Sequence, residues 1–371
     1  MTTLIQNPAP EMTREDDGFL RDMWYVTVTA KELKPGKMLQ KQYLGEPVLL
    51  GRDPEGRAFA LRDICPHRAV PLSKGQMWTE EDGQTSVACP YHGWRFNAHS
   101  GQCVTIPSLV EGQNFDLTTI KVRRYPVYEQ DGLIWVYFPA DPSDETLSMA
   151  RPPRFANMVL KPGQSEGRVK YIERAQLECH QDNGVIGLLD PAHTPYVHQS
   201  PLWRSSKGLK PKEKHFAPTE LGFTMLSHKP VNSPLYNIIG GSIKVEIQFI
   251  LPGLRAESIR NEKHGYLGLA AVTPIHKDLS EITQIMYWDT PVLDALSLIA
   301  RPFTHTFLQQ DARVMRWQGE YAQYNPTLMQ IPDADTLMVW YKRLKREWVR
   351  AREDQRDFDN PIKPAVLRWR T

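Results

Sequence analysis

The alternation of apolar and polar positions changes character partway along the chain. From about residue 19 to residue 142 it reads as β: short aromatic and β-branched runs broken by turn residues. Residues 24–28 (Trp-Tyr-Val-Thr-Val) form one such run. Residues 47–52 and 57–62 face each other across Asp53-Pro54-Glu55-Gly56 and predict a hairpin. Residues 125–128 and 133–138 predict another around Gln130-Asp131-Gly132. The return strand at 57–62 leads directly to Cys65, and residues 85–88 lead to Cys89. A Pro- and charge-rich stretch from residue 139 to residue 154 marks a domain boundary. Beyond it, residues 167–177 read as a strand running into a helix, and residues 199–214 as a polar, turn-rich region. Strands are predicted at 222–226, 243–250, 265–272 and 281–288, and the second and fourth alternate as strands with one wet face do. The spacing turns helical from 291 to 319 and again from 333 to 350. In the last helix Leu337, Trp340, Tyr341, Leu344 and Trp348 share one face and are read as core.

The fold class is therefore α+β. A tail at 1–18 precedes an all-β domain at 19–150, and a domain at 151–371 packs an antiparallel sheet on helices. With 371 residues the chain is long enough for two domains with separate cores. The composition, 41% hydrophobic and 24% charged, is that of an ordinary globular protein. A net charge of +2 gives no reason to expect nucleic acid or an anionic membrane as a partner. No run approaches 18 apolar residues, so no transmembrane helix is expected, and residues 1–17 carry no signal-peptide core. The four cysteines, Cys65, Cys89, Cys103 and Cys179, do not suggest a disulfide framework; a reducing, cytoplasmic compartment is expected.

Two of those cysteines stand in compact motifs. Cys65-Pro66-His67 is C-x-H and Cys89-Pro90-Tyr91-His92 is C-x-x-H, with 21 residues between His67 and Cys89. Each loop supplies one thiolate and one imidazole. Two Cys on one iron and two His on the other is the Rieske arrangement of a [2Fe–2S] cluster. Neutral imidazoles make the cluster less negative and raise its potential to about −150 to +300 mV. A structural zinc site is the alternative, but zinc sites usually pair Cys with Cys and His with His. Pro66, Pro71 and Pro90 stiffen the loops. The wording CPHRAVPLS…CPYHGWRFN…SGQCVTIP resembles the Rieske domain of ring-hydroxylating oxygenase terminal components. The gap between the loops is slightly long for that family, and the excess is placed in the polar hairpin tip at 79–83.

A second constellation is Asp190-Pro191-Ala192-His193-Thr194-Pro195-Tyr196-Val197-His198. On a helix Asp190 and His193 would share a face. His193 and His198, five apart, would not, unless Pro195 disturbs the turn. A locally irregular helix would let both imidazoles converge. Two His and a carboxylate are the facial triad of non-haem Fe(II) oxygenases. Asp190 alone is also explained as a helix N-cap with Pro191 at the first helical position. The third ligand should be a carboxylate from elsewhere. Asp311, in Thr306-Phe307-Leu308-Gln309-Gln310-Asp311-Ala312-Arg313, is the candidate, although periodicity alone does not select it.

D-x-x-H-x-x-x-x-H downstream of a Rieske motif resembles the catalytic domain of Rieske non-haem iron oxygenases. Its wording resembles the branch with pheophorbide a oxygenase, the chloroplast-envelope Rieske proteins and the single-component demethylases. The resemblance runs from about Trp24 to Trp317. It implies a helix-grip fold for the second half and His193, His198 and Asp311 as iron ligands. It also implies that Asp190 bridges the iron site to a cluster histidine, His67 or His92, of a neighbouring subunit in a homotrimer. Electrons would come from NAD(P)H through a ferredoxin and/or flavin reductase, with O₂ as cosubstrate. Two departures stand out: Gly187 and Leu188 occupy the place where many members carry Asn (Asn183 lies further back), and the plastid members' membrane anchor and C-x-x-C are absent.

The expected activity is monooxygenation or oxidative demethylation of an apolar, aromatic or polycyclic small molecule. Pocket candidates are Trp203, Phe223, Leu235, Tyr236, Ile238, Ile239 and Phe303 or Phe307, any one of which fits a core role better. The competing readings are cis-dihydroxylation, a non-catalytic Rieske electron carrier or redox sensor, which has no use for the second site, and a colourless zinc-stapled module.

Overall fold

The structure is a computed structural model, and it describes residues 17–113, 115–141, 151–198, 209–228 and 242–371. Most of the N-terminal tail and much of the predicted boundary segment lie outside these residues.

The N-terminal half is built of short strands. A four-stranded sheet has the order β2-β3-β4-β9, with β2 at Met38–Tyr43, β3 at Glu46–Arg52, β4 at Ala58–Arg62 and β9 at Arg124–Tyr125. A second four-stranded sheet, β5 (Gln76–Thr79), β6 (Thr85–Ala88), β7 (Arg95–Asn97) and β8 (Cys103–Thr105), carries the rest of the motif region. Thr79 pairs with Thr85, so the polar insertion is a hairpin tip, as its composition predicts. A third sheet places β11 (Leu133–Phe138) between β1 (Met23–Thr29) and β10 (Val127–Gln130).

The C-terminal half is one antiparallel sheet of eight strands in the order β12-β18-β17-β16-β15-β14-β13-β19. The strands are β12 (Tyr171–Leu177), β13 (Pro211–Thr219), β14 (Gly222–His228), β15 (Lys244–Ile250), β16 (Leu254–Arg260), β17 (Gly265–His276), β18 (Leu279–Trp288) and β19 (Ala365–Arg370). Among the described residues four helices accompany it: α1 (Gln181–Leu189), α2 (Thr194–Val197), α3 (Pro291–Ala322) and α4 (Thr336–Glu353). The apolar stripe of α4 faces the sheet, where Trp340 meets Phe216 and Phe223 edge-on and Tyr341 meets Phe249. Phe223 is thus a core residue rather than part of a substrate lining.

The two halves do not have separate cores. β1 and β11 are buried on both faces. Tyr25, Val28, Ile134 and Val136 join one cluster with Val185, Leu189, Leu308 and Trp340. Val26, Leu133 and Trp135 join another with Leu267, Leu269, Ile285 and Tyr287. The backbone N–H groups of Leu44 and Gly45 donate to Pro274 and Ile275 at 2.9 Å, and Thr273 Oγ1 donates to the Val26 carbonyl at 3.0 Å. Only the far end of the N-terminal half, around Phe59, Leu72, Val87 and Phe96, keeps a core of its own. Strands with two apolar faces belong inside a multilayer packing, and this one draws the two halves together.

A charged cluster sits on this junction. Arg174 of β12 donates to both Glu32 oxygens at 3.0 and 2.8 Å, and its Nε lies 3.5 Å from Glu281 on β18. Burial favours the neutral form of both acids, with opposite results. At Glu32 hydrogen bonds from Arg174 and Thr29 outweigh burial and hold the carboxyl below the usual range. At Glu281 burial prevails over Arg174 and Lys41 and raises it. Ionised Glu281 therefore costs stability above its raised pKa. That cost is absent below the ordinary glutamate value, where folded and unfolded chains are both protonated. Glu281→Gln is expected to melt higher than the parent at pH 7, with the gain fading as the pH falls below the carboxylate range. Parallel melting curves at all pH values would contradict this.

Candidate metal centres

The two Cys–His loops are built alike. The Cys65 N–H donates to the Val70 carbonyl at 2.9 Å, and the Ala69 N–H donates back to the Cys65 carbonyl at 2.9 Å. The Cys89 N–H donates to the Trp94 carbonyl at 2.8 Å, and the Gly93 N–H to the Cys89 carbonyl at 3.0 Å. Both loops turn through the left-handed region at the fourth residue after the cysteine, Ala69 at φ 56° and Gly93 at φ 71°. Glycine adopts that conformation at no steric cost, and alanine does not. Below the first loop, buried Asp63 accepts the Ser73 N–H at 2.7 Å and the Ser73 hydroxyl at 2.6 Å.

These closures bring the motif side chains of the two loops against each other, Cys65 beside Cys89 and His67 beside His92. Trp94 of the second loop stacks on His67 of the first, with centroids 4.4 Å apart and planes 6° from parallel. The His67 and His92 rings lie 4.6 Å apart. Burial pushes the Cys65 thiol up to about 11, with Cys89 beside it, so a thiolate here requires a cation. Burial, with His92 and Arg68 nearby, also pulls His67 down and keeps its imidazole neutral. Its buried Nδ1 has no hydrogen-bond partner. Two buried thiols and two adjacent imidazoles, one of them with an orphaned nitrogen, fit a metal cluster.

The second site is built around α1 and α3. Asp182 in the first turn of α1 accepts the Tyr341 hydroxyl at 2.6 Å and Lys345 Nζ at 2.6 and 2.7 Å, which ties α1 to α4. Close packing ties α1 to α3: a Cβ on Gly187 would stand 3.0 Å from Met315 Cε. The small residue at 187 thus lets α3 approach. Asp190 ends α1 rather than starting a helix. Its N–H bonds to the Ile186 carbonyl at 3.0 Å, and Pro191 holds it extended. The N-cap expectation is corrected accordingly, and Asp190 and His193 do not share a helix. Asp190 Oδ1 accepts the Ala192 N–H at 2.7 Å, and this turn places His193 at the head of α2. Pro195 sits in the first turn of α2, where a proline is tolerated, instead of distorting a longer helix. His198 closes the other end.

The two imidazoles converge as expected, by means of this single turn. His193 Nε2 lies 3.7 Å and His198 Nε2 3.2 Å from Asp311 Oδ1 on α3. One ligating atom from each of the three residues lies within 4.8 Å of the others. His193 Nδ1 is 2.8 Å from the Asp190 backbone carbonyl, and His198 Nδ1 is 3.0 Å from Gln310 Oε1. Phe307 stacks on the His198 ring at 3.5 Å. His198 is only 2% exposed, and its Nε2 has no hydrogen-bond donor or acceptor. An orphaned imidazole nitrogen aimed at a carboxylate and a second imidazole fits a divalent metal. Among the pocket candidates, Phe307 lies at this site and Phe303 is exposed. Trp203, Leu235, Tyr236, Ile238 and Ile239 lie outside the described residues. Gln310 was not anticipated from the sequence.

Residues 23–126 match the Rieske [2Fe-2S] domain family. The fold matches the crystal structure of dicamba monooxygenase bound to dicamba, with a TM-score of 0.71 at 23% identity over 91% of this chain and 99% of that one. The chain thus carries a Rieske [2Fe-2S] domain within a fold like that of dicamba monooxygenase. Among its relatives, the oxygenase component of dicamba O-demethylase from Stenotrophomonas maltophilia is 35% identical over 185 residues, 49% of this chain and 48% of the relative. Chlorophyllide a oxygenase of Arabidopsis thaliana is 26% identical over 348 residues, 91% of this chain and 59% of the relative. The aligned parts therefore span less than two thirds of either relative. No helix among the described residues is long and apolar enough to cross a membrane.

Proposed function

We propose that this chain is the terminal oxygenase of a Rieske system. It takes electrons that originate in NAD(P)H from a ferredoxin and/or flavin reductase. With O₂ it hydroxylates, or oxidatively demethylates, an apolar aromatic or polycyclic small molecule. The observation that carries the reading is the convergence of His193, His198 and Asp311 in a chain that also has a Rieske domain. An electron carrier has no use for the second site. Cys65, His67, Cys89 and His92 would hold the [2Fe–2S] cluster, in a domain comprising residues 19–150. His193, His198 and Asp311 would hold Fe(II), in residues 151–371. When bound, the cluster supplies single electrons and the iron supplies the O₂ chemistry.

The chain's own residues prepare both sites. The Asp190 carbonyl keeps the proton on His193 Nδ1 and leaves Nε2 free to ligate. Phe307 covers one face of His198 and excludes water from it. The Asp190 carboxylate is steadied through Oδ1 by the Ala192 N–H. Its other oxygen, 3.8 Å from His193 Nδ1, belongs to a side chain 38% exposed and open to a donor from outside. We assign that donor to a cluster histidine of a neighbouring subunit in a homotrimer. Cys103 and Cys179, outside the cluster and not in disulfides, accord with a reducing, cytoplasmic setting.

Monooxygenation is favoured over cis-dihydroxylation because relatives are named as a demethylase and as monooxygenases. The test is a single turnover of the reduced, iron-loaded protein under ¹⁸O₂ with a panel of methoxy-aromatic and polycyclic compounds. A product carrying a single labelled oxygen, or the demethylated phenol, is expected. A doubly labelled cis-diol would contradict monooxygenation. Cluster oxidation without any substrate product across the panel would favour the carrier.

A further inference from the structure

We infer that Gln310 is a positioning residue for the iron site: its side-chain carbonyl fixes the tautomer and orientation of His198. The inference rests on the reading of His198 as an iron ligand. A neutral imidazole that ligates through Nε2 must carry its proton on Nδ1, and a buried N–H must have an acceptor. His193 uses the Asp190 backbone carbonyl at 2.8 Å. His198 has no such backbone partner; Gln310 Oε1 stands 3.0 Å from its Nδ1. With the amide oriented this way, Nδ1–H donates to Oε1, and the lone pair on Nε2 faces Asp311 at 3.2 Å.

The helix geometry makes this a built arrangement. Phe307, Gln310 and Asp311 stand at i, i+3 and i+4 on α3, the spacing that gathers side chains on one helix face. Phe307 lies under the ring at 3.5 Å with planes 14° apart, Gln310 meets one nitrogen and Asp311 the other. The ring is held on a face and at Nδ1 by a single helical turn, which also sets Asp311 opposite the free Nε2. The same turn supplies a ligand and orients another ligand. Gln310 itself touches neither iron nor substrate in this arrangement.

The test measures metal binding rather than turnover. Fe(II) affinity of the second site is read by chelator competition on cluster-loaded protein, with the cluster's visible spectrum as the internal control. Gln310→Leu keeps the bulk of the side chain and removes the acceptor. It is expected to weaken Fe(II) about 10- to 100-fold. Gln310→Glu restores an acceptor at the same reach and is expected to recover most of that affinity. The near-infrared magnetic circular dichroism of the Fe(II) site should shift in the Leu variant and return in the Glu variant. A helix-packing role alone would not give rescue by Glu with a ligand-field change in Leu. Parental affinity and an unchanged ligand field in Gln310→Leu would overturn the assignment. So would a loss in Gln310→Leu that Gln310→Glu does not restore. Failure of the parent protein itself to bind Fe(II) would instead overturn the iron reading on which the inference stands.

Discussion

Asp190→Ala is expected to lower product formation by about 100-fold while both metal centres stay loaded. The side chain is not among the three that converge on the proposed iron position, and His193 Nδ1 is satisfied by the Asp190 backbone carbonyl, which alanine keeps. The turn after α1 loses one hydrogen bond, from the Ala192 N–H, but Pro191 still sets the backbone. What disappears is the partly exposed carboxylate next to His193, the group assigned to receive a cluster histidine from the next subunit. Measured together, metal content, solution mass and single-turnover yield separate the possibilities. Full metal content, a trimeric mass and little product are expected. Normal product from Asp190→Ala would remove the bridging role. A fully active monomeric parent would remove the need for a neighbouring subunit.

His198→Ala should strip the mononuclear iron and leave the Rieske centre untouched. The ring is buried, braced by Phe307 and Gln310, and its free nitrogen points at Asp311. Alanine removes a ligand and leaves a hollow against Phe307, with one imidazole and one carboxylate remaining. Those two are a poor site for a metal proposed to take three protein ligands here. The cluster loops draw on a different core, around Phe59, Leu72, Val87 and Phe96. Iron should therefore fall by about one per chain with labile sulfide unchanged. Product formation should be lost with the iron. Retention of that iron would mean that a residue other than His198 completes the site.

These two sites differ in how far the sequence discloses them. Cys65, His67, Cys89 and His92 could be read directly, because each loop brackets its own pair and closes over five residues. The second site was half legible. His193 and His198 are close in sequence, and one turn of helix brings them together. Only the helix-cap alternative for Asp190 fails locally: Asp-Pro suits a helix start, but the apolar run of α1 ends there and the same Pro191 stops the helix. Asp311 and Gln310 come from across the fold, Gln310 being 112 residues from His198. Their only local signal is the i, i+3, i+4 spacing with Phe307, which many solvated helix faces share.

The fold shows the same division. The strands at 24–28, 47–52 and 281–288 and both long helices announce themselves by period and residue type. β13, β16 and β19 do not. β13 and β19 pair at the sheet edge with alternating exposure, and Lys, Glu and Arg on their wet face mask the pattern. The shared core was also hidden. Two apolar faces on β1 and β11 say that both are covered, but not by which half of the chain.

The measurement that bears most directly on the account is anaerobic iron and labile-sulfide analysis of the purified chain, with visible and EPR spectra of the reduced protein. The account predicts about three irons and two sulfides per chain and a Rieske-type signal. About two irons and two sulfides, unchanged by added Fe(II), would contradict the oxygenase and leave an electron carrier. Zinc without sulfide would contradict the account from its first motif onward.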